Sequence, residues 1–256
     1  MKNIYIILFL SICLSANAQL RIGAKGGVSI PNLEGTTEQS KGYISRQGAY
    51  GGLLLNFTLT PLLSLQPEIN FSPQGGKRNG VQQVPSDALT GVSLPQGISL
   101  YANFRNTTIL NYVEVPVLLK FTIGHRLKYY VCFGPYMAFL VEAKTITNGS
   151  GLMYVDETGT IPIKVNENQL PPVSFNGTIN IRENIKAINA GMQGGLGLQH
   201  HVGPGSIFLE GRTVMGITNI QTHPKTDGRS QTGSLAIAIG YLIKIEKQGV
   251  HHIIFK

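Results

Sequence analysis

Several stretches of this chain alternate apolar and polar residues one by one, and the polar positions include full charges. In Asn111-Tyr112-Val113-Glu114-Val115-Pro116-Val117-Leu118-Leu119-Lys120-Phe121, one parity holds Val113, Val115, Val117, Leu119 and Phe121. The other holds Tyr112, Glu114, Pro116, Leu118 and Lys120. Successive side chains of a β-strand point to opposite faces. Such a strand therefore has one oily face over its whole length and one face carrying an acid and a base. A transmembrane β-barrel places these faces outward and inward respectively.

The same pattern recurs eight times. The predicted strands are 20–30, 48–60, 64–74, 108–123, 127–144, 186–202, 206–220 and 231–245. The links between them alternate in length. Pro61-Leu62-Leu63, Gly124-His125-Arg126 and Gly203-Pro204-Gly205 are short, whereas 31–47, 75–107, 145–185 and 221–230 are longer. This predicts an all-β fold, an eight-stranded antiparallel up-and-down transmembrane barrel. Its short turns face the periplasm and its long, mobile loops face the outside.

Composition separates this fold from a soluble barrel with its oily face inward. Charged residues make up 13% of the chain, against about 25% in ordinary soluble domains. Glycine contributes 31 of 256 residues, well above the usual ~7%. A soluble exterior would be short of charge, whereas a narrow crowded lumen suits Gly, Ser, Asn and Gln. Phe57, Phe71, Phe121, Tyr129, Phe139 and Tyr241 fall near strand ends on the oily face, as an interfacial girdle would.

The chain opens as an export signal: Lys2, an apolar run from Ile4 to Leu14, then Ala16-Asn17-Ala18 as a small-x-small cleavage site. Residues 1–18 are predicted as the signal peptide, 19–246 as the barrel and 247–256 as a C-terminal tail. Leu10-Ser11-Ile12-Cys13 is a poor lipobox, because Ile12 is bulky where a small residue is wanted. Removal of the signal leaves Cys132 without a partner for an internal disulfide. The formal net charge of +8 is scattered rather than gathered into a run. It favours anionic lipid headgroups or acidic sugars over nucleic acid.

Lys25, Glu68, Glu114, Lys120, Glu142, Lys144, Glu210 and Arg212 all fall on the predicted lumen face. An eight-stranded barrel is just wide enough to be filled by side chains, so these residues are expected to form a lumen charge network. Glu114 and Lys120 lie six residues apart, roughly 20 Å by strand rise, so their partners are expected on neighbouring strands. Pro67, Pro73, Pro116 and Pro135 lie inside predicted strands. A closed barrel has no edges to accommodate proline, so either bulges are expected there or the strands end sooner than drawn.

No catalytic or metal-binding constellation is legible. His200 and His201 are adjacent and diverge, as do His251 and His252, and no Ser, His and acid cluster has an interpretable spacing. Gly194-Gly195-Leu196-Gly197 lacks the Gly-Lys-Ser/Thr and the helix of a nucleotide loop. The expectation is a non-enzyme without cofactor.

Gly23-Ala24-Lys25-Gly26-Gly27, Leu65-Gln66-Pro67-Glu68-Ile69, Ser72-Pro73-Gln74-Gly75-Gly76, Asn111 to Lys120 and Gly134-Pro135-Tyr136 follow in order through most of the chain. This series resembles the PorT-like family of outer-membrane β-barrel proteins. The resemblance implies an eight-stranded barrel in the outer membrane and, through the family's founding member, a link to type IX protein secretion. Three roles follow as expectations: a structural or interaction barrel that binds a protein partner at its loops or periplasmic face, a narrow passage or ligand-binding barrel for small solutes, or a lipid- or glycan-modifying enzyme. The first is the reading adopted, as a monomeric barrel with outer-membrane lipid around it.

Overall fold

A computed structural model of the chain describes residues 19–35, 42–84, 99–165, 168–224 and 228–245. The predicted signal peptide, Cys13, tail 247–256 and His251-His252 lie outside the described residues. Eight long strands form the wall: β1 (Leu20–Gly35), β2 (Gly48–Thr58), β3 (Leu63–Gln83), β4 (Tyr101–Gly124), β5 (Leu127–Asn148), β6 (Ile188–Val202), β7 (Gly205–Gly216) and β8 (Ser230–Lys244). Each pairs antiparallel with the next, and β1 pairs with β8, so the sheet closes on itself. Closure satisfies the backbone without an edge, the condition for strands to cross hydrocarbon.

The faces follow the alternation. Leu53, Phe133, Leu196 and Met215 stand exposed on the outer wall, while Leu54, Tyr112, Leu118 and Arg212 are buried inside. An exposed oily surface of this extent needs lipid around it. Tight turns join β2 to β3, β4 to β5 and β6 to β7 at one end of the barrel. Gly124 and Gly203 there adopt positive φ, at 106° and 57°, which L side chains rarely take.

Strands β3, β4 and β5 run beyond the predicted ends, with 21, 24 and 22 residues. A membrane crossing takes about 9–11 residues, so these three strands rise out of the bilayer as an extracellular sheet. The 145–185 connection is built onto it: Gly177–Asn180 pairs with β5 and Met153–Tyr154 pairs with β4. Phe104 and Phe175 stack at 5.1 Å between ring centres, in a small cluster with Val84 and Ala102.

Two local expectations fail. First, the prolines do not shift the register. The β4–β5 ladder keeps one register from Pro116↔Tyr136 to Leu119↔Phe133, and Pro67 and Pro135 likewise sit in unbroken registers. The ladders instead skip pairs there, at Leu55–Asn56 on β2, Glu68–Ile69 on β3 and Val117–Leu118 on β4. Second, the shift that does occur lies at Val141. Tyr112 pairs with Leu140 but Asn111 pairs with Glu142, leaving Val141 as a bulge. Arg182 donates to the carbonyls of Leu140 (3.1 Å) and Val141 (2.8 Å), satisfying backbone that the bulge frees.

Lumen glycines make room for rings. A Cβ on Gly197 would lie 2.4 Å from the Tyr130 ring, whereas a Cβ on outward-facing Gly26 would meet nothing within 4 Å. Gly197→Ala is expected to cost about 1–3 kcal/mol through overpacking, lowering the urea midpoint of the refolded barrel, while Gly26→Ala leaves the midpoint unchanged.

The candidate functional site: a filled lumen with a polar periplasmic mouth

Six of the eight predicted lumen charges are inside the barrel: Lys25, Glu68, Glu114, Lys120, Glu210 and Arg212 are all at most 7% exposed. Four of them close a ring of alternating sign. Lys25 bridges Glu68 at 2.8 Å and Glu210 at 3.2 Å; Arg212 bridges Glu68 at 3.2 Å and Glu210 at 2.6 Å. The two cations and two carboxylates cancel, which a buried cluster requires.

Glu68 is the hub. Its Oε1 accepts from Gln66 (2.7 Å) and Arg212 (3.2 Å), and its Oε2 accepts from Lys25 (2.8 Å), Asn70 (2.9 Å) and Arg212 (3.2 Å). The Arg212 fork thus grips the carboxylate at both oxygens, the geometry in which guanidinium is strongest. Glu68 is on β3 and Arg212 on β7, four strands apart in a ring of eight, so this pair spans the lumen.

Glu114 and Lys120 are not ion-paired, contrary to expectation. Gln193 (2.7 Å) and Gln74 (3.4 Å) donate to Glu114. Lys120 donates to Gln199 (3.4 Å) and sits 3.6 Å from the centre of the Tyr130 ring. Amides and an aromatic face take the place of opposite charges, because the carboxylates within reach are already held by Lys25 and Arg212.

Glu142 and Lys144 are not in the lumen. The bulge at Val141 reverses the parity of β5 beyond it, as a one-residue slip must. Ala143 turns inward, 4% exposed. Glu142 and Lys144 turn outward and pair with each other at 2.7 Å, half exposed. Asn111 donates to Glu142 (2.6 Å), and Arg46 donates to Asn111 (3.1 Å), so this group is an outer rim cluster.

The charged ring is sealed on its extracellular side by an apolar plug. Leu33, Leu110, Tyr112, Tyr136, Leu140, Val214, Ile185 and Ile220 form one buried cluster, with Tyr43 and Ile181 packed against it. Ile185 comes from the connection before β6, where no alternation marked it as core, and Ile220 lies past the observed end of β7 at Gly216, inside the strand predicted to run to 220. Below the ring, Leu54, Leu118, Tyr130, Cys132, Phe208 and Leu242 form a second apolar layer. The periplasmic mouth holds a cavity of about 50 Å³ lined by Arg21, Asn56, Ser64, Lys120, Lys128 and Gln199 among others. Among the described residues, no three His, Cys, Asp or Glu side chains are grouped to hold a metal ion.

Removing one partner of a buried charged set leaves the rest uncompensated, at a cost of about 3–5 kcal/mol. Glu68→Ala is expected to lose that much in urea-unfolding experiments. Lys25→Met combined with Glu68→Met should lose less than Glu68→Ala, because one charge of each sign leaves together.

Comparison with known proteins agrees with this architecture. Residues 15–221 match the family described as outer membrane protein beta-barrel domain. No curated protein matches the chain. Among solved structures, Neisserial surface protein A is 8% identical, with 90% of this chain and 100% of that one covered and a TM-score of 0.41. Ail of Yersinia pestis is 12% identical, with 88% and 99% covered and a TM-score of 0.37. The N-terminal barrel of Pseudomonas aeruginosa OprF is 8% identical, with 88% and 99% covered and a TM-score of 0.30. The closed, lipid-facing wall and the match over most of its length place the chain in the cell outer membrane, as a member of the outer membrane protein beta-barrel domain family.

Proposed function

We propose that the protein is a non-conducting, non-enzymatic anchor whose extracellular sheet and loops hold a protein partner. The observation that carries this reading is the buried apolar cluster above the charged ring, which packs that section of the lumen with side chains. A passage would need water along its whole length, and Leu110, Tyr112 and Val214 are each at most 1% exposed.

The extracellular side has built surfaces to offer. Asp156 ties one hairpin together, accepting from the backbone N–H of Thr160 (3.0 Å) and Ile161 (2.7 Å) and from the Thr158 and Thr160 hydroxyls. These donors hold its carboxyl well below the usual carboxylate range. A depressed acid contributes its tie fully above the ordinary Asp value near ~3.9 and loses it as pH falls from there toward the folded value. The hairpin is therefore fastened throughout the neutral range.

The motifs 65–69 and 111–120 resemble those of PorT-like barrels, and that resemblance supports protein secretion of the type IX kind as the process in which the partner acts. Residues 1–18 serve, on this reading, as a cleaved export signal, and the barrel works as a monomer.

Four measurements test the proposal. Planar-bilayer recording of the refolded protein should be silent; discrete conductance steps would sink the anchor reading. Affinity capture from outer-membrane extracts should retain a secretion component, and its absence under cross-linking removes the secretion assignment. Asp156→Asn is expected to reduce that capture severalfold and leave the heat-modifiable gel mobility of the barrel unchanged. The intact mass of the membrane form should correspond to a chain beginning at Gln19, and a lipid-bearing mass would point to Cys13 instead.

A further inference from the structure

The cavity at the periplasmic mouth gathers charge of a single sign. Arg21 on β1, Lys120 on β4 and Lys128 on β5 line it, together with Asn56 on β2, Ser64 on β3 and Gln199 on β6. Six consecutive strands thus each contribute a polar side chain to its lining. Among the described residues, no Asp or Glu lines it.

Lys120 is the informative member. It is 2% exposed, and its recorded contacts are the Gln199 amide oxygen and the rings of Tyr130 and Phe208. No carboxylate lies within ion-pair distance of it among the described residues. Glu68 and Glu210, the nearest acids along the lumen, are committed to Lys25 and Arg212. Burying an ammonium group without an anion is costly. Arg21 and Lys128 line the same cavity, so its walls carry three cations and no acid among the described residues.

The cavity supplies the rest of an anion site. A space of about 50 Å³ exceeds the ~10–15 Å³ that one water needs and accommodates a tetrahedral oxyanion. The Asn56 amide donates to Ser64 Oγ (3.0 Å) and to Gln66 Oε1 (3.2 Å), so the attraction for an anion comes from the three cations.

We propose that the periplasmic mouth of the lumen binds a phosphate-type oxyanion between Arg21, Lys120 and Lys128, either free or carried by a lipid headgroup of the periplasmic leaflet. The anion completes the electrostatics of the lower lumen as Glu68 and Glu210 complete those of the middle. This site is independent of the anchor reading, since a silent barrel and a conducting one could both hold it.

Two arms test the proposal. In the first, the full chain refolded in an uncharged detergent at low salt is titrated calorimetrically with inorganic phosphate. Saturable one-to-one binding is expected. Arg21→Gln and Lys128→Gln should each weaken it about tenfold, the loss of one charge-assisted hydrogen bond. Arg126→Gln, in the adjacent turn but not lining the cavity, should leave the affinity unchanged. In the second, the protein is placed in phosphatidylcholine nanodiscs containing phosphatidylglycerol, and retained lipid is read by native mass spectrometry. Phosphatidylglycerol retained by the unmodified protein and lost from the Arg21→Gln/Lys128→Gln variant assigns the headgroup. Phosphate binding without such retention assigns the free anion. The absence of both phosphate binding and selective lipid retention overturns the proposal, as does binding that both substitutions leave intact.

Discussion

The fork between Arg212 and Glu68 is the tie on which the barrel interior depends. It joins β7 to β3 across the lumen, between strands that no ladder connects. Lys25 and Glu210 complete the ring, and Gln66, Asn70 and Gln193 fix its members from the sides. Water is largely excluded by the layers above and below, so each of these contacts works in a medium of low dielectric. The same medium makes the ring an all-or-none object, because loss of one member strands the others.

That ring explains what the remaining lumen residues must be. Once Glu68 and Glu210 are occupied, Glu114 and Lys120 have no opposite charge to meet. Glu114 is served by two amides, and Lys120 by an amide and an aromatic face. The glycines opposite Tyr130 and Phe208 follow from the same crowding, since rings that shield charge need space that a methyl would take. Charge, aromatic shielding and glycine content are thus one packing solution rather than three compositional oddities.

The alternation in the sequence carried the wall: the eight strands, their outward and inward faces, and six of the eight lumen charges. It could not carry the parity of Glu142 and Lys144. Both continue the even-numbered polar positions of the fifth strand, and only the extra residue at Val141 reverses them. A bulge has no fixed residue signature, and the prolines that suggested one mark skipped ladder pairs instead. Of the plug, Leu110, Tyr112, Tyr136, Leu140, Val214 and Ile220 fell on inward positions of predicted strands, whereas Leu33 and Ile185 lie in predicted connections where period two does not operate. The cation-lined mouth escaped notice because Arg21 and Lys128 are ordinary strand-end bases in sequence and become neighbours only when the sheet closes.

The tall strands β3, β4 and β5 have a consequence for geometry outside the cell. Past the level of the bulge β3 and β4 each run on for about ten residues and β5 for about seven, while the other strands end sooner. The rim is therefore lopsided, a blade on one side and a low wall on the other. Anything docking on the blade is held to one side of the barrel axis, and tilting of the barrel in the membrane moves that contact through a wide arc. The crossing acts as the pivot of a lever, and the extracellular sheet is its arm.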